Sequence, residues 1–256
     1  VEDKQAVSQA FQALPEICIH AAAQISVQES LDNPAKAVRV NVQGTWQVLE
    51  QCRRANAKFL LVSTCMVYDE LGRAPAIDER HPVLPRSPYA ATKLAAELLA
   101  ECYHRCYGLP VVILRPFNTY GPFQGRGAEG GVVSVFLERK LRGQKLPLFG
   151  GGTQTRDLLY VEDCADFVVR AALREEVVGQ VINAGTGREI AVRSLAELIA
   201  GAGAGVPAPH PHPQSEVRRL CCAPGKAERL LGWRPRVTLE EGIPRTEAWL
   251  RQALAA

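Results

Sequence analysis

The sequence predicts an α/β fold in which helices cover both faces of an open parallel sheet. The order of segments along the chain supports this prediction. Between residues 17 and 115, short apolar segments rich in β-branched residues alternate with longer segments of helical periodicity. The predicted strands are residues 17–20, 59–63 and 111–115, and the helices between them are residues 34–55 and 87–107. Strands and helices that alternate in this way form parallel sheets.

The helix at residues 87–107 has the clearest start signal. Ser87 is a favoured capping residue, and Pro88 suits the first helical position. Tyr89 and Lys93 are four residues apart, so their side chains share one face of the helix. An ammonium beside a phenol favours the phenolate, whose ordinary pKa is about 10. We therefore predict that Tyr89 acts as a base and that Lys93 makes it more acidic.

Two hydroxyl side chains, Ser63 and Thr64, stand at the end of the predicted strand that precedes this helix. In an open α/β sheet, ligands bind in the crevice at the carboxyl ends of the strands. We expect both hydroxyls to face that crevice, close to Tyr89.

The predicted helix at residues 34–55 has residues at near-helical spacing that should form a buried stripe. Asn41 lies just beside this stripe, so it either makes a structural hydrogen bond or helps to order the site near Tyr89 and Lys93. The stripe consists of Val38, Val42, Thr45, Trp46, Leu49 and Cys52.

Composition excludes several function classes. The chain has 256 residues, 47% of them hydrophobic, and a formal charge of only +3, which argues against nucleic-acid or membrane binding. It has no apolar run of about 20 residues and no signal-peptide pattern. Its eight cysteines include no C-x-x-C pair, so we predict reduced thiols, no metal site and a cytoplasmic protein.

The pair of strand-end hydroxyls followed by Tyr-x-x-x-Lys resembles the short-chain dehydrogenase/reductase superfamily. Other motifs narrow the resemblance to its extended branch, which modifies sugar nucleotides. His20-Ala21-Ala22-Ala23 is similar to the H-x-A-A turn of that branch, and the sequence starting at Asn41 is similar to its N-V-x-G-T helix. Further motifs follow in the family's order at residues 114–122, 155–163, 183–187 and 230–235.

The resemblance implies a Rossmann-like, doubly wound parallel sheet with a smaller, interleaved α/β substrate domain. Residues 1–116 would form the dinucleotide-binding domain, to which a helix at about residues 163–173 returns. Residues 117–256 would form mainly the substrate domain, after a loop-rich passage at residues 116–131. The family's Gly-rich turn, which holds the cofactor pyrophosphate, has no counterpart in this sequence. We therefore expect a copy that is shortened at its amino terminus and lacks the first strands.

The same resemblance implies a reaction that depends on NAD and begins with transient oxidation at C4 of a nucleotide-diphosphate sugar. Tyr89 would take the hydroxyl proton, Thr64 would steady the developing carbonyl, and Lys93 would hold the nicotinamide ribose. The other residues that the resemblance assigns to the cofactor are Ala21, Ala22, Ala23, Asn41, Ser63 and Pro116.

The two residues after Thr64 separate epimerisation from dehydration. Related 4,6-dehydratases carry Asp and then Glu at these places, whereas this chain has Cys65 and Met66. A thioether cannot be a base, although a Cys65 thiolate keeps Cys65 a candidate catalytic residue. We predict 4-epimerisation, with dehydration, decarboxylation or simple reduction as alternatives. A catalytically silent binding module is the alternative of another class, favoured by the missing Gly-rich turn.

The resemblance also implies which residues contact the phosphates and the sugar. They are Met66 and three residues of the predicted substrate domain. Arg156, in Thr-Arg-Asp, matches the place of a phosphate-binding arginine, and its planar fork suits phosphate oxygens. Arg218 resembles a second such arginine, although Arg219 is an alternative, and either could be a surface ion-pair partner. Asn118 would face the sugar or its phosphates, or else cap a turn. The family's habit also implies a homodimer formed through the helices at residues 34–55 and 87–107.

Overall fold

The computed structural model describes residues 1–72, 74–125 and 131–255. Its central sheet has four parallel strands in the order β1-β2-β3-β7. These strands are β1 (Ile17–His20), β2 (Lys58–Val62), β3 (Val111–Pro116) and β7 (Val181–Ala184). The predicted alternation is confirmed, and a strand from later in the chain completes this sheet.

In the described part of the chain, five α-helices precede β3. The first three are short: α1 (Lys4–Ala10), α2 (Val27–Asp32) and α3 (Pro34–Ala37). The longer α4 (Gly44–Ala55) and α5 (Pro88–Tyr107) cover one face of the sheet. Their buried residues, including Leu49, Cys52, Ala96 and Ala100, pack against sheet residues such as Phe59, Leu61 and Ile113.

The other face of the sheet is covered by α7 (Val161–Ala172) and α9 (Gly225–Leu231). Phe167 of α7 packs there with Trp233 and with Leu60 of β2. Leu60 points opposite to its neighbours Phe59 and Leu61, as expected of a strand buried on both faces. Helices on both faces of a parallel sheet confirm the predicted doubly wound, Rossmann-like fold.

The predicted helix at residues 34–55 is interrupted. Between α3 and α4, the segment Val38–Gln43 is π-helical, which inserts an extra residue and rotates the buried face. The predicted core stripe is therefore only partly right. Thr45, Leu49 and Cys52 are buried, but Val38 is 43% exposed and Trp46 is 47% exposed.

The rest of the second half, as far as it is described, forms two smaller sheets and three α-helices. One sheet joins β4 (Asn118–Tyr120), β6 (Thr155–Tyr160) and β8 (Glu189–Ala191), and the other joins β5 (Leu146–Phe149) to β9 (Gly205–Ala208). The helices are α6 (Val132–Leu141), α8 (Val192–Ala200) and α10 (Leu239–Ala255). A separate cluster of buried residues, including Phe136, Leu137, Leu195 and Leu250, joins these helices to the sheets.

The predicted domain boundary after residue 116 stays a prediction. α7 packs with the first half, as expected of the returning helix, and β7 and α9 pack there as well. Residues 126–130 of the predicted loop-rich passage lie outside the described residues. Within the described ranges, none of the helices combines the length and the apolar character needed to cross a membrane. All eight cysteines are free thiols.

Candidate active site

The carboxyl ends of β1, β2 and β3 meet at one edge of the sheet and carry the predicted cofactor residues. Ala21, Ala22 and Ala23 follow β1, Ser63 and Thr64 follow β2, and Pro116 ends β3. Ala21 and Ala22 are exposed and Ala23 is half-buried, so the backbone of this turn is open to solvent. This edge also lies next to the first turns of α5, since Lys93 bonds to the last residue of β2, and it is where the sequence predicts the crevice.

Tyr89 lies in the first turn of α5, as the start signal predicts. The Ser87 hydroxyl accepts the backbone N–H of Ala90 at 3.2 Å, and the N–H of Tyr89 donates to Ser30 Oγ of α2 at 3.0 Å. Tyr89 is 9% exposed, and its phenol lies beside the Thr64 side chain. Burial raises the pKa of Tyr89 to about 12, although the neighbouring Thr64 side chain favours the phenolate. Helix capping and the strand end thus bring together Tyr89 and Thr64, two of the four predicted catalytic residues.

Lys93 lies one turn further along α5 and is buried. Its amine donates to the backbone oxygen of Val62, at the end of β2, over 2.6 Å. Burial lowers the pKa of Lys93 to about 8, and the charge of Glu97 partly opposes this shift.

His20 lies near Lys93 at the end of β1. Its Nε2 is 2.9 Å from Thr45 Oγ1, and because that hydroxyl donates to the backbone oxygen of Asn41, the imidazole is the donor. Burial lowers the pKa of His20 to about 4, and the charge of Lys93 adds to the effect. The imidazole is therefore neutral near pH 7, and it is not a second cation in the site.

The expectation that Lys93 lowers the pKa of Tyr89 is wrong. The sequence predicts that Lys93 makes the Tyr89 phenol more acidic, but burial dominates and the pKa of Tyr89 is above its ordinary value. The physical reason is that the phenol is desolvated, while the amine of Lys93 is directed at the Val62 carbonyl. In the protein alone, the Tyr89 phenol therefore keeps its proton near neutral pH.

Asn41 connects the turn after β1 to the first turn of α5. Its Oδ1 accepts the N–H of Gln24 at 2.8 Å, and its Nδ2 donates to the oxygen of Gln24 at 3.0 Å and to Thr92 Oγ1 at 2.9 Å. The Thr92 hydroxyl in turn donates to the backbone oxygen of Tyr89. Through these bonds Asn41 orders the segments around Tyr89. A direct contact between Asn41 and a cofactor stays a prediction.

We expect Asn41→Ala to lower the free energy of unfolding by about 2 kcal/mol or more, because it leaves buried backbone groups of Gln24 without a partner. Urea unfolding measures this change. Gln43→Ala is the matched control, since Gln43 is exposed in the same π-helical segment. Equal losses in the two variants would contradict the structural role of Asn41.

Ser63 and Cys65 do not take the positions that the sequence predicted. The Ser63 hydroxyl donates to the Glu97 carboxylate and so is directed at α5, not at the crevice. Cys65 is 2% exposed, in an apolar cluster with Tyr68 and Phe117. Burial raises the pKa of the Cys65 thiol to about 12, so the thiolate considered from the sequence does not form near neutral pH.

A cleft of about 350 Å³ lies next to Thr64 and contains three of the predicted substrate residues, Met66, Asn118 and Arg156. Met66 connects the cleft to the catalytic residues, since its N–H donates to Thr64 Oγ1 over 3.2 Å. Asn118 Oδ1 is buried and has no hydrogen-bond partner among the residues that the structure describes. The remaining walls come from α2, α6, β5 and the segment 210–217.

Two hydrogen bonds hold the Arg156 guanidinium in the cleft. Its Nη1 donates to the Thr155 oxygen and its Nη2 donates to Glu216 Oε1, each over 2.8 Å. Glu216 Oε2 is 2.6 Å from His210 Nε2, and the His210 ring packs edge-on against Phe149. A guanidinium has five N–H donors, so Arg156 keeps donors for an anion in the cleft.

The predicted second arginine is not in the cleft. Arg218 is exposed and is not among the residues that line the cavity. Arg219, the alternative, is occupied by Glu189 through bonds of 2.5 to 3.0 Å. Of the predicted arginines, Arg156 is thus the one that lines the cleft, and its role in phosphate binding stays a prediction.

Several cleft residues were missed by the sequence analysis. Glu216, His210 and Phe149 line the cavity. Glu216 and His210 follow strand β9, which pairs with β5. Proline-rich composition gave no sign of this pairing, because parallel partners are distant in sequence.

The described residues fit the nicotinamide ribose of NAD, the cofactor implied by the resemblance. Among the described residues, Val62 O is the single acceptor for the Lys93 ammonium, which leaves two N–H groups for ribose hydroxyls. Gln24, just after the turn Ala21–Ala23, also has a buried side-chain oxygen that lacks a partner in the described ranges. Lys93, Tyr89 and this turn would hold the cofactor.

Comparison with known proteins gives consistent results. Residues 1–185 match the model of the NAD dependent epimerase/dehydratase family. A UDP-glucose 4-epimerase of Mycolicibacterium smegmatis is 40% identical over 241 residues, which are 93% of this chain and 76% of that protein.

Two solved structures are also similar. Pal from Bacillus thuringiensis is 47% identical with a TM-score of 0.95, over 98% of this chain and 81% of Pal. A UDP-glucose 4-epimerase from Thermus thermophilus in complex with NAD is 34% identical with a TM-score of 0.89, over 98% of this chain and 83% of that one. The protein is thus an NAD-dependent enzyme of sugar-nucleotide chemistry, and the chain belongs to the NAD-dependent epimerase/dehydratase family.

Proposed function

We propose that this enzyme interconverts the C4 epimers of a nucleotide-diphosphate sugar, with UDP-glucose as the first candidate substrate. The proposal rests on the side chains of Cys65 and Met66, the two residues that follow Thr64. The two residues that follow Thr64 are a buried, neutral thiol and a thioether, whereas the residues required for oxidation at C4 are present. The M. smegmatis relative is named for the same reaction.

Each catalytic side chain has one task in this mechanism. Tyr89 takes the proton of the C4 hydroxyl as the C4 hydrogen leaves with its electron pair, and Thr64 donates a hydrogen bond to the developing carbonyl oxygen. Bound NAD supplies the hydride acceptor and a positive ring that favours the Tyr89 phenolate. Tyr89 returns its proton when the hydrogen is restored on the opposite face of C4. The centre is then inverted.

Dehydration needs two further groups, an acid that protonates the leaving hydroxyl at C6 and a base that removes the proton at C5. Cys65 is buried in an apolar cluster and keeps its proton, and Met66 has none to exchange. Met66 lines the cleft beside Thr64, where its apolar side chain would contact the sugar. These properties favour epimerisation over elimination.

The cleft supports a diphosphate ligand. Arg156 presents its guanidinium beside Asn118, whose side-chain oxygen has no described partner. The charge of Arg156 also acts on Cys65, which places the arginine close to the segment that follows Thr64. The sugar would lie between Tyr89 and Arg156, with the diphosphate on Arg156.

Incubation with NAD and a set of UDP-, dTDP-, GDP- and CDP-sugars, followed by NMR of the products, tests the proposal. We expect interconversion of the C4 epimers of one nucleotide sugar. A 4-keto-6-deoxy product would show that the enzyme catalyses dehydration and not epimerisation. Binding of nucleotide sugars without turnover would instead support a silent binding module.

We also propose that the protein is a homodimer, formed through the outer face of α4 and α5. The two helices lie side by side, with Tyr103 Oη donating to Glu50 and Arg53 stacked on Tyr107. Large apolar side chains on these helices are exposed, including Trp46 at 47% and Leu98 at 60%. A second copy would bury them.

Leu98→Glu is expected to convert the dimer to a monomer, because it places a charge in the apolar interface. Analytical ultracentrifugation measures the change in mass. Leu173→Glu is the control, since Leu173 is 71% exposed at the end of α7, on the opposite side of the sheet. A Leu98→Glu protein with the mass of the unmodified dimer would exclude this interface.

We further propose that the enzyme works in the cytoplasm. Its eight cysteines are all free, and four of them are buried in the core. Free thiols are typical of proteins in a reducing compartment.

A further inference from the structure

Glu97 is a buried carboxylate directly behind the catalytic lysine. It follows Lys93 by four residues on α5, so the two side chains share a helix face. Glu97 is 1% exposed. A carboxylate buried to this degree requires partners that compensate for its lost hydration.

Two partners fix the Glu97 carboxylate in place. Arg115 of β3 donates through Nε to both carboxylate oxygens, at 3.0 and 3.2 Å, and through Nη2 to Oε2 at 2.5 Å. The Ser63 hydroxyl donates to Oε1. Because Arg115 lies in β3 and Ser63 follows β2, Glu97 connects α5 to the ends of these two strands, next to Thr64.

Lys93, Glu97 and Arg115 form a buried row of alternating charges. The Arg115 guanidinium also stacks on the ring of Tyr68, at 4.7 Å from the centroid, and Tyr68 Oη donates to Asn183. His20 also lies near Lys93, but it is neutral near pH 7. Glu97 is therefore the negative charge, among the described residues, that opposes the cost of burying the Lys93 ammonium.

We propose that Glu97 is a positioning residue for the reaction, which keeps the Lys93 side chain charged over the working pH range of the enzyme. Only the expected effect on turnover rests on the proposed function. The charge state of Lys93 is a property of the protein itself. Lys93 has a pKa of about 8, so the activity that depends on its charge is present below that pH and is lost as the pH rises through it.

The test is Glu97→Gln, which removes the charge and keeps the size of the side chain. The titration of Lys93 is followed by NMR of ¹⁵N-labelled lysine side chains, assigned by comparison with Lys93→Met. We expect the Lys93 titration to move to lower pH by about one unit, a tenfold fall in proton affinity. The basic limb of the turnover profile should move by the same amount.

Glu101→Gln is the matched control. Glu101 lies one turn beyond Glu97 on α5, but it pairs with Arg105 at the surface. The control removes the same charge from the same helix, and we expect the Lys93 titration to stay in place. If the Lys93 titration moves equally in both variants, the cause is a general loss of negative charge and the proposal is wrong.

Glu97→Gln leaves Arg115 buried without its carboxylate, which can prevent folding. The double variant Glu97→Gln, Arg115→Met removes both charges and keeps the measurement possible. The Lys93 titration should again move to lower pH, by a smaller amount, because a more distant positive charge is lost as well.

An unchanged Lys93 titration in a folded variant overturns the proposal. If the titration moves but no nucleotide sugar is epimerised by the unmodified enzyme, the proposed function fails and the role of Glu97 stands.

Discussion

Tyr89→Phe is expected to lower turnover by a factor of about 100 to 10 000, the usual contribution of a general acid–base group. The substitution removes the phenol that contacts Thr64 and leaves the ring in place. The backbone bond from Tyr89 to Ser30 and the cap at Ser87 do not involve the phenol oxygen. The fold and nucleotide binding should therefore persist, and calorimetry with the nucleoside diphosphate should give an affinity within about twofold.

Tyr103→Phe is the control for this substitution. Tyr103 is on the same helix, but its hydroxyl donates to Glu50, away from the cleft. Its turnover should match that of the unmodified enzyme. A Tyr89→Phe enzyme with an unimpaired rate would show that another group takes the hydroxyl proton.

Arg156→Met is expected to raise KM by about 10- to 100-fold, with a smaller change in kcat, because a charge-assisted hydrogen bond to the diphosphate is lost. The reacting carbon lies at the Tyr89 end of the proposed site, so the effect is on binding more than on chemistry. Initial rates over a range of substrate concentrations separate the two constants.

Two further arginine variants sharpen this test. Arg156→Lys keeps the charge but loses the planar fork, so it should recover only part of the affinity. Arg218→Gln should leave KM unchanged, since Arg218 is exposed outside the cleft. A larger effect at residue 218 than at residue 156 would contradict the assignment of the phosphate-binding arginine.

Local signals predicted the elements that position the site. Ser87 and Pro88 predicted the start of α5, and apolar β-branched segments predicted β1, β2 and β3 within one residue at each end. The π-helical segment Val38–Gln43 has no comparable signature, so the outward rotation of Val38 and Trp46 was missed.

Long-range contacts account for the other differences. Helical spacing correctly placed Tyr89 and Lys93 on one face, but the pKa values of both depend on burial by other elements. The direction of the Ser63 hydroxyl likewise depends on Glu97, 34 residues away. His210 and Glu216 line the cleft and follow β9, which pairs with β5 although the two strands are about 60 residues apart in the sequence.

The fate of a deuterium placed on C4 of the sugar tests the central claim most directly. The enzyme is incubated with NAD and UDP-glucose deuterated at C4, and the products are analysed by NMR. Oxidation and return of hydrogen at one carbon predict that the deuterium stays on C4 of the inverted sugar. Deuterium found on C6 of a 4-keto product would contradict epimerisation and establish elimination instead.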